Sequence, residues 1–227
     1  MTLSNRLQTL LELTPRCSLL ADIGADHALL TIEVLKRKKA PHVLCTDLSG
    51  PSLDKARRAV EQVGLCSEVT FCLGDGLRAI EGHSPEVTVI AGMGGETIAS
   101  ILEAVNETDG SLYLLQPMSK ASALRAFLSS HGFGILDERL AEDDGRIYPI
   151  LCAKKCSTPP LSSLEIYCGK AHLTREGDPL TARYLSRLSA SLTQRRDGRK
   201  TAGAPTDEED RLLDALAPYL DPQPEEL

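Results

Sequence analysis

Residues 18–35 read SLLADIGADHALLTIEVL, an apolar run that ends in an acid and a glycine before a helix-like pattern begins. The segment up to Ile23 has the length and composition of a buried strand, and the segment from His27 onward carries apolar residues at helical spacing. Gly24 lies at the turn between them, where a glycine lets a ligand approach the backbone closely. The stretch predicts the first strand–turn–helix unit of an α/β domain, with a nucleotide-like ligand at the carboxyl edge of its sheet.

Strand-like and helix-like segments continue to alternate through residue 155. Helical patterns such as 51–64 and 119–132 are interspersed with strand patterns at HVLCTD (42–47), EVTFCLGD (68–75), VTVIAG (87–92) and SLYLLQP (111–117). Two further strand patterns, at 133–143 and 146–155, flank Asp144-Gly145, which is a strong hairpin signal. We expect residues 1–155 to form a Rossmann-like α/β core, whose seven-stranded sheet is mostly parallel and ends in an antiparallel hairpin.

The pattern changes after Cys156, where STPPLSS (157–163) marks a boundary. One helix is expected to end near Asp197-Gly198, and Thr206 is expected to N-cap a second helix over 207–220. The apolar residues at helical spacing in the first of these helices are Leu180, Tyr184, Leu185, Leu188 and Leu192. Residues 156–227 are therefore predicted to form a helical, coiled-coil-like domain built on two antiparallel helices.

Composition places the chain among ordinary soluble proteins, with 42% hydrophobic and 25% charged residues in a total of 227. No apolar run approaches the roughly 18 residues of a membrane span, and the N-terminus lacks the features of a signal peptide, so we expect a cytoplasmic protein. The seven cysteines are odd in number and contain no Cys-x-x-Cys pair. Reduced thiols and no metal site are expected.

The net charge of −7 is concentrated at the C-terminus. Residues 207–227 contain eight acids and one base, so the rest of the chain carries 24 acids and 24 bases. Basic clusters occur at KRKK (36–39) and RRDGRK (195–200). Charge therefore neither requires nor excludes a nucleic-acid partner.

The first turn disfavours an anionic dinucleotide. The dinucleotide fingerprint needs Gly-x-Gly-x-x-Gly, and only the first glycine, Gly24, is present. Asp26 would lie where a pyrophosphate should meet free backbone amides. An anionic cofactor is therefore disfavoured, whereas one that carries a sulfonium and an ammonium is not, and Asp22 can accept hydrogen bonds from cationic or hydroxyl groups.

Two later strand ends add to the same site. Asp47 follows Gly24 by 23 residues, the usual interval for a carboxylate that binds ribose hydroxyls. Gly74-Asp75-Gly76 ends the third strand, and Asp75 could accept a hydrogen bond from an adenine amine. The ordered series of Gly24, Asp47 and Asp75 is typical of S-adenosyl-L-methionine binding.

The fourth strand ends in AGMGG (91–95), a segment without acid, base or nucleophile. It would offer backbone carbonyls and amides with little side-chain bulk, so a planar base could come close to the transferred methyl group. Gln116-Pro117 ends the fifth strand and is expected to face the same pocket. The alternative is that Gly94 and Gly95 only permit close helix–sheet packing.

Longer motifs resemble a known family. LLADIGADHALLTIEVL (19–35), VTVIAGMGGETIASIL (87–102) and LRAFLSSHGFGILDERLAEDDGRIYPIL (124–151) resemble the bacterial tRNA (adenine-22-N1)-methyltransferases, and the match covers residues 3–155. The resemblance implies a class I methyltransferase core with a helical C-terminal domain. It also implies S-adenosyl-L-methionine-dependent methylation of N1 of adenine 22 in the tRNA D-arm. Leu29 and Thr31 depart from the family pattern, which has Tyr and Pro there.

The predicted site residues follow from the strand ends and from the resemblance. The role of Arg6, which would reach the cofactor carboxylate, is implied by the resemblance only. The residues predicted to bind the cofactor are Arg6, Asp22, Gly24, Asp26, His27, Asp47, Leu48, Gly74, Asp75, Gly76, Ala91, Gly92 and Met93. Those predicted to bind the substrate are Met93, Gly94, Gly95, Gln116, Pro117, Arg195 and Arg196. The candidate catalytic residues are Asp26, Gly92 and Gln116, as acceptors near the adenine amino group.

The expected partner is tRNA, with neither membrane nor metal, and the protein is expected to be a monomer or a weak homodimer. Two other readings remain open. One is a methyltransferase that acts on another RNA, a protein or a small molecule; the other is an RNA-binding protein without catalysis. A nicotinamide oxidoreductase is disfavoured by the missing glycines.

Overall fold

A computed structural model of the chain describes residues 3–106, 109–175 and 177–220. The chain divides into two compact units, Met1–Pro159 and Pro160–Leu227. The acids Asp221, Glu225 and Glu226, which were counted in the acidic C-terminus, lie outside the described residues.

The first unit contains the α/β architecture. Short 3-10 helices lie at Cys66–Glu68 and Gly76–Ile80. The other elements are α1 (Asn5–Leu13), β1 (Leu20–Ile23), α2 (Leu29–Lys36), β2 (Val43–Asp47), α3 (Gly50–Gln62), β3 (Val69–Leu73), β4 (Val87–Gly94), α4 (Gly95–Leu102), β5 (Leu112–Ser119), α5 (Ala121–Ser130), β6 (Phe133–Asp143) and β7 (Arg146–Lys155).

Within the described residues, these strands form one seven-stranded sheet in the order β3-β2-β1-β4-β5-β7-β6. The pairs among β1 to β5 are parallel, whereas β7 pairs antiparallel with both β5 and β6. Asp144 and Gly145 join β6 to β7 with φ of 48° and 70°, the left-handed values that a tight hairpin turn needs. The predicted fold class is confirmed.

The central strands are nearly continuous apolar runs in the sequence because both of their faces are buried. All four residues of β1 are buried, because helices cover both faces of the sheet. The strand order reverses between the neighbours β1 and β4, since β2 and β3 lie on one side and β5 on the other. In open α/β sheets such a reversal leaves a crevice at the carboxyl edge, and ligands bind there.

The second unit is helical. Its elements are α6 (Ser163–Cys168), α7 (Lys170–Thr174), α8 (Pro179–Thr201), α9 (Asp207–Leu216) and a 3-10 turn at Ala217–Tyr219. Asp178 caps α8 by accepting hydrogen bonds from the backbone amides of Leu180 and Thr181, both at 3.3 Å. α8 and α9 correspond to the two predicted helices, and the sequence reading missed the short helices α6 and α7.

Two local predictions about these helices are wrong. α8 does not end near Asp197-Gly198 but continues to Thr201, whose hydroxyl bonds the Asp197 carbonyl at 2.9 Å. A single glycine is tolerated inside a helix. Thr206 precedes α9, yet its hydroxyl donates to the Asp210 carboxylate at 2.8 Å and makes no side-chain cap.

Candidate functional site

Two adjoining cavities lie at the carboxyl edge of the sheet, where the strand order reverses. The larger has a volume of about 940 Å³ and the smaller about 300 Å³. Both are lined by Gly24, Asp26, Ala91 and Gly92, so the turn after β1 and the end of β4 form their common wall.

The larger cavity gathers the strand ends of β2 and β3. Its lining residues include, from the predicted set, Asp47, Leu48, Gly74, Asp75, Gly76 and Met93. The smaller cavity is lined by Arg6, Asp22 and His27 together with Leu7, Ala25, Leu29 and Leu30. Every residue predicted to bind a cofactor therefore lines one cavity or the other.

Sequence reasoning missed one wall of the larger cavity. This wall is contributed by α4 and the residues just after it, namely Thr97, Ser100, Ile101, Glu103 and Ala104. Thr97, Ser100 and Ile101 recur within α4 at intervals of three and four residues, which places them on one helix face. The sequence could have predicted this wall, because the helix that follows AGMGG begins at the same edge of the sheet as the predicted site.

The turn after β1 is fixed by backbone hydrogen bonds to β2. The amides of Gly24 and Ala25 both donate to the Thr46 carbonyl, at 2.9 and 3.0 Å. Gly24 has φ of 75°, and a β-carbon there would collide with the Met93 side chain. The left-handed backbone conformation therefore favours glycine at position 24, whereas the terminal methyl group of Met93 belongs to a flexible side chain that can move.

Asp22 is a buried acid at this turn. Its Oδ2 accepts a hydrogen bond from the Thr31 hydroxyl at 2.7 Å, and Thr31 is itself fully buried. Burial raises the pKa of Asp22 to about 6, although the hydrogen bonds from Thr31 lower it in part. The carboxyl group is therefore poised to change its charge just below neutral pH.

The wall at Gly92 is a β-bulge. The ladder between β4 and β5 pairs Ala91 with Gln116 and Met93 with Pro117, so Gly92 is the extra residue. Gly92 has φ of 79°, and its amide donates to the Gln116 Oε1 atom at 3.2 Å. The bulge exposes a backbone segment without a side chain to both cavities.

Gln116 does not face the cavities, contrary to the prediction. The residue is fully buried, and its Oε1 also accepts a hydrogen bond from Arg6 Nη1 at 2.9 Å. Its Nε2 donates to the Pro117 carbonyl at 3.0 Å. Neither Gln116 nor the buried Pro117 lines either cavity, so a direct contact of these two residues with a substrate base stays a prediction.

Arg6 and the acidic turn present charge to the smaller cavity. Arg6 Nε pairs with Asp143 Oδ2 at 2.9 Å, and its side chain is 23% exposed. Asp26 and His27 are exposed, with Oδ2 and Nε2 at 3.4 Å from each other. Ligand binding by Arg6 stays a prediction, and Asp143 already satisfies part of its guanidinium.

The remaining predicted substrate residues are two glycines of the first unit and two arginines of the second. Gly95 is buried, and a β-carbon there would collide with the Lys120 carbonyl, so this glycine permits close packing; its contact with substrate stays a prediction. Gly94 also lines neither cavity. Arg195 and Arg196 belong to the second unit, where Arg195 Nε bonds the buried Glu209 carboxylate at 2.8 Å and Arg196 Nη2 approaches Asp197 at 2.9 Å.

The larger cavity is negatively charged. Among its lining residues are the carboxylates of Asp26, Asp47, Asp75 and Glu103, against the single guanidinium of Arg78. Such a field attracts a cation and repels a pyrophosphate. This donor set fits a sulfonium nucleoside, whose ribose hydroxyls and amino groups can donate hydrogen bonds to the carboxylates.

Neither a metal-binding cluster nor a membrane-crossing helix occurs in the part of the chain that the structure describes. Its histidines, cysteines and acids do not gather in groups of three or more that could hold a metal ion. None of the helices in residues 3–106, 109–175 and 177–220 is both long and apolar enough to cross a bilayer.

Comparisons with known proteins agree with the geometry. A family model described as a methyltransferase domain matches residues 3–151. The tRNA (adenine(22)-N(1))-methyltransferase of Bacillus subtilis (strain 168) is 37% identical over 154 residues, which make up 67% of this chain and 65% of that protein. The alignment thus spans just under two thirds of the length of that relative.

Solved structures extend the similarity to nearly the whole chain. The structure of the B. subtilis M1A22 tRNA methyltransferase TrmK superposes with a TM-score of 0.79 at 30% identity and covers 96% of each chain. A Streptococcus pneumoniae protein solved in complex with S-adenosyl-L-methionine superposes with a TM-score of 0.84 at 27% identity, over 97% of this chain and 100% of that one.

Proposed function

Because the chain belongs to the bacterial tRNA (adenine-22-N1)-methyltransferase family, we propose that it methylates N1 of adenine 22 in tRNA with S-adenosyl-L-methionine as the methyl donor. The observation that carries the proposal is the pair of acid-lined cavities that meet at the bare backbone of Gly92. A cationic nucleoside fits the acids, and a planar base fits the wall without side chains.

The strand-end carboxylates would hold the cofactor. Asp47 would accept hydrogen bonds from ribose hydroxyls, and Asp75 from the exocyclic amine of the cofactor adenine. Asp22 and Asp26 would face the ammonium and sulfonium groups, and Arg6 the carboxylate. When bound, the cofactor supplies an electrophilic methyl group on a positively charged sulfur.

The chemistry at the acceptor needs alignment more than a strong base. Neutral adenine carries an in-plane lone pair at N1, so the protein must hold the base at the correct distance and angle. Positive charge develops on the base as N1 is methylated, and an acceptor near its N6 amino group would stabilise that charge. Asp26 and the Gly92 carbonyl are the candidates in this structure.

The tRNA must present adenine 22 unpaired or flipped, because N1 lies on the Watson–Crick edge. Basic residues that bind the phosphate backbone would hold the folded RNA. We assign this role to Arg196 and, less directly, to Arg195, whose guanidinium also pairs with Glu209. A tRNA substrate also implies a cytoplasmic protein, which we take to be a monomer or a weak homodimer.

Methylation of an unmodified transcript tests the proposal. Incubation of a tRNA that has adenine at position 22 with the protein and S-adenosyl-L-methionine should yield 1-methyladenosine on nucleoside analysis. A transcript with guanine at position 22 is the matched control and should yield none. Equal methylation of both transcripts would place the target elsewhere, and methylation of neither, with the cofactor bound, would contradict the tRNA assignment.

A further inference from the structure

We propose that Gln116 is a positioning residue, which holds the bulged peptide of Gly92 in place and is itself held by Arg6. The inference rests on the proposed function, since it assigns a catalytic purpose to that peptide. It replaces the direct substrate contact predicted for Gln116 with an indirect role.

The bulge creates the need for such a residue. Because Gly92 is the extra residue between the pairs Ala91–Gln116 and Met93–Pro117, its amide has no place in the regular ladder of β4 and β5. The acceptor that it finds is the Gln116 side chain, at 3.2 Å. Without this acceptor, a glycine at φ of 79° has several backbone conformations of similar energy available to it.

Gln116 is suited to a fixed role because its amide group is fully engaged. Its oxygen accepts from both Gly92 and Arg6, and its nitrogen donates to the Pro117 carbonyl. Rotation of the amide by 180° would place its NH2 group against the Gly92 amide and the guanidinium, so only one orientation satisfies all the partners. The side chain is fully buried, which makes loss of these bonds costly.

Arg6 is in turn anchored on the far strands of the sheet. Its Nε pairs with Asp143 at the end of β6, and its guanidinium carbon lies 5.1 Å from the centre of the Tyr148 ring on β7. The chain of contacts therefore runs from Asp143 through Arg6 and Gln116 to the Gly92 peptide. Residues 6 and 116 are 110 positions apart in sequence, yet they fix one backbone segment between the two cavities.

Amide hydrogen exchange at Gly92 tests the positioning without any assay of activity. Gln116→Met removes the acceptor and keeps the side-chain length, and we expect exchange at Gly92 to accelerate roughly tenfold, the equivalent of one hydrogen bond. The matched control is Thr88→Val, which removes a buried hydrogen bond (3.1 Å to Ser111) at the other end of β4. The control should leave exchange at Gly92 unchanged.

Steady-state kinetics tests whether the position of the Gly92 peptide affects the methylation rate. We expect Gln116→Met to lower kcat at least about tenfold at saturating cofactor, with a change of less than about threefold in the Kd for S-adenosyl-L-methionine. Thr88→Val should keep kcat within about twofold of the wild type. At saturating cofactor, Arg6→Met should also lower kcat, and the double variant should be no slower than the slower single variant, because both changes act on kcat through one peptide. Loss of the proposed contact between Arg6 and the cofactor carboxylate should instead raise the Kd for S-adenosyl-L-methionine.

The outcomes separate this inference from the proposed function. Unchanged exchange at Gly92 in Gln116→Met would overturn the positioning role whatever the substrate is. Additive losses of kcat in the double variant would also overturn it, because they would indicate that Gln116 and Arg6 act independently. A loss of kcat in Thr88→Val equal to that in Gln116→Met would overturn it as well, because it would indicate general destabilisation. Absence of tRNA methylation by the wild type, with exchange at Gly92 accelerated as expected, would instead refute the proposed function alone.

Discussion

The burial of Asp22 sets its pKa and, through its charge, the expected affinity for a cationic ligand. Asp22 is the third of the four residues of β1 and is buried there, and burial raises its pKa to about 6. A cationic ligand favours the ionised form. The affinity for that ligand should therefore follow the titration of Asp22, weak where the group is protonated and strong where it is ionised.

We expect the Kd for S-adenosyl-L-methionine to fall as the pH rises from 5 to 7 and to level off above that range. The ligand's own ammonium stays charged over this interval, so the change reports on the protein. Calorimetric titration at several pH values measures it. Asp22→Asn, which cannot ionise, should bind more weakly at pH 7 and lose this dependence. A wild-type Kd that is flat between pH 5 and 7 would contradict the assignment.

Thr31 should set the midpoint of that dependence. Its hydroxyl donates to Asp22 at 2.7 Å and favours the carboxylate, which lowers the pKa of Asp22 from the value that burial alone would give. In Thr31→Val we expect the midpoint of the pH dependence to move upward, whereas Thr31→Ser, which keeps the hydroxyl, should restore it. If the valine variant titrates like the wild type, the hydrogen bond has no part in tuning Asp22.

For single residues, the sequence predicted a place beside the cavities wherever that place depends on the position of the residue along a strand. The place of Asp47 and Asp75 beside the larger cavity was predictable because carboxyl ends of neighbouring parallel strands meet at one edge. The hydrogen bonds of Gln116 were not predicted, because one of its partners, Arg6, is distant in sequence. No local pattern reports such a pairing.

Among the elements, α5 and β6 are joined by an ion pair that is completely buried. Arg125 and Glu138 are 0% and 1% exposed, with Nη2 and Oε1 at 2.5 Å. Buried pairs depend on each other because removal of one partner leaves the other charge in a medium of low polarity. The pair therefore fixes how the helix before the terminal hairpin lies on the sheet.

Glu138→Gln should lower the free energy of unfolding by about 3–5 kcal/mol, because it leaves the Arg125 guanidinium without its carboxylate. Chemical denaturation measures the change. The adjacent residue of β6 supplies the control, since Arg139 pairs with Asp137 at the surface, and Arg139→Gln should cost less than about 1 kcal/mol. Equal losses in the two variants would show that burial of the pair is unimportant.

Element boundaries were predictable in the sheet and less so in the helical unit. Alternating apolar segments and the Asp144-Gly145 turn located every strand of the described sheet. The short helices α6 and α7 were missed because they have only 6 and 5 residues, too few for a periodic pattern. The end of α8 was misplaced because a helix can continue through Gly198 at modest cost.

The whole molecule combines a cofactor-binding unit with a helical unit rich in arginine, and the proposed function assigns each a separate task. Arg196→Ala should weaken tRNA binding severalfold, more at low salt, and leave the Kd for the cofactor unchanged. Arg196 is the better probe than Arg195, whose removal would also take from the buried Glu209 carboxylate its 2.8 Å partner and leave it only Arg199, at 3.7 Å. Filter binding and calorimetry measure the two affinities. Parallel losses in both would contradict the division.

The central claim is that the strand-end carboxylates form a site for a positively charged sulfur nucleoside. Calorimetric titration of the wild type and of Asp47→Ala with S-adenosyl-L-methionine and with NAD tests it most directly, with Asp54→Ala on the exposed face of α3 as the control. We predict saturable binding of S-adenosyl-L-methionine that weakens at least about tenfold in Asp47→Ala and not in Asp54→Ala, with no binding of NAD. Saturable binding of NAD without a response to S-adenosyl-L-methionine, or full affinity in Asp47→Ala, would contradict the account.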